Sequence, residues 1–112
     1  MSELAAHVDL ETALARLAAS QAARSVELFR HGTLQVKLYA PRGHDPQQPH
    51  TRDEVYVIAR GRGVFYDGER RRPFEPGALL FAAAGRPHRF EEFSDDFATW
   101  VLFYGPEGGE RA

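Results

Sequence analysis

Cysteine is absent from the 112 residues, which excludes disulfides, thiolate metal sites and thiol nucleophiles in one step. Lysine is almost absent as well: among fourteen Lys plus Arg residues, Lys37 is the single lysine. Neither sign of charge dominates. Sixteen Asp plus Glu leave a formal charge of −2, which excludes a strongly basic nucleic-acid binder and an acidic disordered tail. No apolar run approaches the roughly 18 residues of a spanning helix. The N-terminus lacks a basic stretch followed by an apolar one, so the sequence predicts neither a membrane segment nor a secretory signal, and a cytoplasmic protein. What is present is an ordinary globular composition, 43% hydrophobic and 27% charged, with eight Phe, four Tyr and one Trp to build a core. The length suits one domain.

Two patterns divide the chain. Over residues 4–23, Leu10, Leu14 and Leu17 recur at i, i+4 and i+7 among alanines, which predicts one helix with an apolar stripe and Asp9 as its N-cap. From Ser25 the period changes to two. Leu34, Val36, Leu38 and Ala40 alternate with Thr33, Gln35, Lys37 and Tyr39, after a hairpin turn at His31-Gly32. Further strands are predicted over Val55 to Ala59, Val64 to Tyr66, Leu79 to Ala82, Arg89 to Phe93 and Ala98 to Phe103. Asp67-Gly68 reads as a two-residue hairpin turn, and Arg70-Arg71-Arg72 as a solvated strand end. About eight short strands with turn chemistry between them predict an antiparallel barrel or sandwich. The segments are a helical 1–24, a β-barrel 25–104 and a flexible C-terminal tail 105–112.

The chemistry concentrates in Gln48-Pro49-His50-Thr51-Arg52-Asp53-Glu54. In an extended segment Gln48, His50 and Glu54 share a face, because side chains alternate along a strand. An interior carboxylate is costly unless paired or bound to a cation. Gly85-Arg86-Pro87-His88 supplies a second histidine at the start of a later strand. Two histidines with one carboxylate form a donor set that leaves coordination positions open, as in non-haem Fe(II) sites. The other reading of these residues is a hydrogen-bonded polar cluster without a metal.

These residues resemble the two motifs of the cupins, a superfamily of small β-barrels. His50, three residues, Glu54, six residues and Gly61 match the second half of the first motif. Gly77, Gly85 and His88 fall at the spacings of the second. The chain departs from the family pattern at Gln48, where the first motif has its first His, and at Arg42, where it has its leading Gly, with Gly43 one place off. It departs again at Ala83 in place of Pro and at Glu92 in place of Asn. The resemblance implies a jelly-roll barrel and a divalent metal (Fe, Mn, Zn or Ni) held by His50, Glu54 and His88, with Gln48 as an optional fourth ligand. It implies dioxygenase, isomerase or decarboxylase chemistry on a small oxygenated molecule. An additional general acid or base would help such chemistry, and Tyr56 and His44 are the candidates. The alternative is a non-catalytic module that binds a sugar or organic acid. Trp100 to Tyr104 is apolar on both faces, so either the helix or a second copy covers its outer side. A homodimer is expected, with Val101 and Phe103 placed outward.

Overall fold

The computed structural model describes residues 7–20 and 24–111. The two ends of the predicted helix, 4–6 and 21–23, lie outside these residues. The described helix α1 is Leu10–Ala19, and Asp9 caps it by accepting the amide N–H of Thr12 at 2.8 Å. Eight strands follow: β1 (Ser25–His31), β2 (Leu34–Tyr39), β3 (Asp53–Arg60), β4 (Gly63–Tyr66), β5 (Arg71–Phe74), β6 (Leu79–Ala82), β7 (Arg89–Glu91) and β8 (Ala98–Tyr104). They form two antiparallel sheets, one ordered β1-β2-β8-β3-β6 and the other β5-β4-β7. The architecture is mostly β and antiparallel, as the turn spacing predicts, in the jelly-roll arrangement that the resemblance implies, with one helix, α1, among the described residues. No helix among the described residues is long and apolar enough to cross a membrane.

The larger sheet is apolar on both faces, and each face has its own core. The outer face packs Leu28, Val36 and Leu38 with Trp100 and Leu102 beneath Ala13, Leu10, Leu14 and Leu17 of α1. The inner face packs Tyr56, Ile58, Ala82 and Val101 against Phe65, Phe74, Phe90 and Phe97. Their rings meet edge-on or tilted, as Tyr56 and Phe90 do at 4.9 Å. This corrects the expected orientation of β8. Val101 is buried inside and Phe103 packs on that same interior cluster, while Trp100 and Leu102 face out under the helix. On β2 the apolar residues Val36 and Leu38 serve the helix side, which turns Lys37 and Tyr39 inward.

One turn and the C-terminal segment also differ from the sequence reading. The β4–β5 connection is a four-residue loop, 67–70, in which the Asp67 carboxylate accepts the amides of Glu69 and Arg70 at 2.9 and 2.8 Å. The tail expected to be flexible is anchored instead: the amide of Gly108 donates to the Thr51 carbonyl at 2.7 Å, and that of Glu110 to Asp53 Oδ2 at 2.8 Å. Arg71 of the arginine run pairs with Glu91 at 2.8 Å and lies over the Tyr66 ring.

Glu92 has φ 49°, the one non-glycine residue with positive φ among the described residues. A side chain in that left-handed region costs about 1–2 kcal/mol, and Asn tolerates it best after Gly. Glu92 is exposed and makes no hydrogen bond of its own among the described residues. Glu92→Gly is therefore expected to raise unfolding stability by about 1 kcal/mol, read from urea midpoints at unchanged slope.

Candidate metal centre

β3 carries the carboxylate. Glu54 is its second residue, paired with Phe103 on one side and Ala82 on the other, and is 1% exposed. His50 lies four residues earlier in the loop entering β3, where its carbonyl accepts the Gly85 amide at 2.7 Å. His88 stands immediately before β7, in the other sheet. Among the described residues, one ligating atom from each of His50, Glu54 and His88 lies within 4.8 Å of the other two. His88 Nε2 is 2.9 Å from Glu54 Oε1, and His50 Nε2 is 3.6 Å from the same oxygen.

The tautomer of His88 makes that contact informative. Its Nδ1–H donates to the Arg86 carbonyl at 2.9 Å, so the neutral ring presents the Nε2 lone pair to the carboxylate. Two acceptors then face each other at 2.9 Å. Glu54 Oε1, Glu54 Oε2 and His88 Nε2 are all buried without a hydrogen-bond partner. Such an arrangement requires a cation between the groups, either a proton or a metal ion. With bonds of about 2.0–2.2 Å, two donors on one ion stand roughly 2.8–3.6 Å apart, depending on the angle between them. The separations found fall in that range, and the donor set fits a divalent ion.

The two histidines respond oppositely to this environment. Burial depresses His50, with Glu54 only partly offsetting it, so the ring is neutral and its lone pair available. Burial also opposes charge on His88, but the Glu54 carboxylate and the Arg86 carbonyl outweigh it and raise its pKa above the ordinary 6.5. In metal-free protein, ring-proton NMR is expected to show His88 titrating above 6.5 and His50 below it. The raised group stabilises the fold fully below pH 6.5, and that contribution fades as pH climbs through its folded value. The depressed group stabilises above 6.5 and stops doing so as pH falls through its own. Two rings titrating together at 6.5 would contradict this geometry.

The remaining predicted residues divide. Tyr56, two positions after Glu54 on the same face, is buried with its hydroxyl 3.2 Å from Gln47 Oε1. Burial and the Glu54 charge push its phenol well above the usual tyrosine value, so it is a hydrogen-bond donor and not a base. His44 and Gln48 are exposed and join neither the cluster nor the cavity beside it. Gln47 stands where Gln48 was expected. Its Nε2 donates to Asp45 Oδ2 at 2.6 Å, which leaves Oε1 turned inward, 3.0 Å from His50 Nε2. Asp45 secures this loop: its carboxylate also accepts the Tyr39 hydroxyl, the Gln47 amide at 3.3 Å and the Phe90 amide at 2.8 Å. Sequence reasoning missed both Gln47 and Asp45, since the extended backbone assumed for 48–54 does not reach back through Pro49 and Pro46.

A cavity of about 240 Å³ opens beside the triad, lined by Ser25, Lys37, Tyr39, Pro46, Gln47, His50, Glu54, Tyr56, Val101 and Phe103. His50, Glu54, Gln47 and Tyr56 thus line this cavity at the inner wall of the larger sheet.

Comparison with known proteins agrees with the geometry. The model of the cupin domain matches residues 35–104. The chain belongs to the cupin domain family. An uncharacterised protein of Streptomyces coelicolor is 32% identical over 84 residues, 73% of this chain and 80% of its own length. KdgF from a Halomonas species superposes with TM-score 0.64 at 15% identity, over 74% of this chain and 78% of that one, a likeness of fold alone. A chain from the structures of the DMSP lyases RdDddP and RnDddQII gives TM-score 0.57 at 27% identity, over 66% of this cupin and 40% of that chain.

Proposed function

We propose that this cupin is a metal-dependent enzyme acting on a small oxygenated organic molecule. The observation that carries the reading is the convergence of three buried, unpartnered atoms, Glu54 Oε1 and Oε2 and His88 Nε2, beside the cavity. A core that needed only packing would hold apolar side chains there. His50, Glu54 and His88 would hold a divalent ion, with Gln47 Oε1 as a fourth donor in the place first assigned to Gln48. The ion would supply Lewis acidity toward an oxygen of the substrate. The chain does the rest. The Arg86 carbonyl fixes the His88 tautomer, Asp45 fixes the Gln47 amide, and the Tyr56 hydroxyl donates to Gln47 Oε1 at the cavity wall. Dioxygenation, isomerisation and decarboxylation are all compatible with this donor set.

Metal analysis of untagged protein tests the reading. Wild type is expected to hold nearly one divalent ion per chain, and His88→Ala and Glu54→Ala to hold far less. Protein that stays empty after incubation with Fe(II), Mn(II), Ni(II) and Zn(II) would overturn it and leave the non-catalytic binding module as the better account.

We further propose that the protein pairs with a second copy through β6. This strand is an edge of the larger sheet and carries Leu79 and Phe81 at 71% and 54% exposure, large apolar side chains that α1 does not cover. The double substitution Leu79→Glu, Phe81→Glu is expected to halve the mass seen by light scattering. An unchanged dimer would remove this face from consideration.

A further inference from the structure

We propose that the cavity takes a small organic carboxylate and that Lys37 is its counter-charge. The anion contact stands apart from the metal reading, and only the fate of the ligand's other end rests on it.

Lys37 is the one lysine of the chain, and its position is unusual for a basic residue here. Arg30, Arg71, Arg86 and Arg89 all lie on the surface in ion pairs with Glu27, Glu91, Glu69 and Glu91. Lys37 sits between Val36 and Leu38, which point to the helix, so its own side chain points to the inner face and lines the cavity. It is partly buried, and among the described residues it makes no hydrogen bond and no ion pair. The carboxylate directly across the strand pair belongs to Glu27, and it is already held by Arg30 Nε at 2.8 Å and Gln35 Nε2 at 2.7 Å. The acid deeper in the cavity, Glu54, faces the two histidines.

A cation with no hydrogen-bonded counter-charge on a largely apolar wall, here with Pro46, Val101 and Phe103 beside it, loses hydration without gaining a direct partner. A ligand carboxylate restores that loss, whereas a neutral sugar does not. The Ser25 hydroxyl on the same wall makes no side-chain hydrogen bond among the described residues and can donate to the second carboxylate oxygen. A single ammonium suits a monoanion better than a phosphate, which is typically gripped by several donors. The cavity, about 240 Å³, also lies below the roughly 300–1,000 Å³ of drug-sized sites and limits the ligand to a few carbons. A small acid bound to Lys37 would direct its other oxygen-bearing end toward His50 and Glu54 on the same cavity wall.

The test uses acetate, propionate, lactate and pyruvate, each beside its neutral amide, with inorganic phosphate as a further probe. Binding is followed by amide chemical shifts in chelated and in zinc-loaded protein. At least one carboxylate is expected to bind about tenfold more tightly than its amide in both forms, a difference of about 1.4 kcal/mol, with shifts at Ser25 and Lys37. Lys37→Met is expected to lose that tenfold preference while keeping the wild-type metal content, and Lys37→Arg to retain most of it. Equal binding of acid and amide, an unaffected Lys37→Met, preference for phosphate, or no binding by any probe would each overturn the proposal. Lys37-dependent carboxylate binding in a protein that takes up no metal would sink only the metal reading. Metal uptake without such binding would sink only this one.

Discussion

Glu54→Gln is expected to empty the metal site and, in the same protein, to raise the stability of the metal-free fold. The opposite signs come from one fact. The carboxylate is 1% exposed, and neither of its oxygens has a hydrogen-bond partner. Without a cation, the wild-type chain must bury that charge or share a proton between Glu54 and His88 across 2.9 Å. An amide in its place offers an N–H to the His88 lone pair and removes the charge, so chelated Glu54→Gln should exceed chelated wild type by about 1–3 kcal/mol. With metal in excess the order reverses, since an ion at a thousand times its dissociation constant adds about 4.1 kcal/mol to the wild type alone. Four thermal melts, two proteins with and without chelator, decide the matter. A variant that keeps its metal, or that melts below wild type in chelator, would show that Glu54 is satisfied in a way the geometry does not reveal.

Asp45→Ala is expected to be the most destabilising single change near the site. The carboxylate accepts the Tyr39 hydroxyl, the Gln47 amide and side chain, and the Phe90 amide, joining the 41–52 loop to β2 and β7 at once. Removing it leaves several donors without an acceptor, and a group so abandoned costs about 1–3 kcal/mol. A total of roughly 3 kcal/mol, or a fall of about 12–24 °C in melting temperature for a domain of this size, is the expected result. Asp45→Asn should recover little, because its amide nitrogen would confront the donors now shared by the carboxylate. Metal affinity should fall as well, since Gln47 loses the bond that orients it. A stable Asp45→Ala variant with wild-type metal affinity would mean that the loop is held by its prolines alone.

How far the sequence could be read depended on what kind of signal each residue gave. His50, Glu54 and His88 were legible because their chemistry and spacing agreed, and the structure brings all three together. Gln48 was misplaced by one position because alternation applies only where the backbone is extended. Between Pro46 and Pro49 no strand forms, and the Asp45 carboxylate holds the Gln47 amide so that its oxygen turns inward. The orientation of β8 was illegible for another reason: in Trp100-Val101-Leu102-Phe103 every residue is apolar, so the period of two carries no parity. On β2 the alternation was clear, yet it marked the face under α1 and not the barrel interior. Lys37 was visible as the chain's only lysine, but nothing in its local pattern told the cavity side from the solvent side.

The C-terminal segment has a bearing on how the protein is handled. Asp53 is a shared anchor: its Oδ1 accepts the amide of Ala84 at 2.9 Å, and its Oδ2 that of Glu110 at 2.8 Å. Ala84 begins the stretch that runs through Gly85, whose amide holds the His50 carbonyl, to His88. The last described residues thus press against the base of the loop that presents a histidine to the site. Trimming by a carboxypeptidase to Glu107 would remove Glu110 and with it one of the two bonds that keep Asp53 aimed. Preparations differing only at that end would then differ in how firmly His88 is held, and an affinity handle at the other terminus is the safer choice for any study of the site.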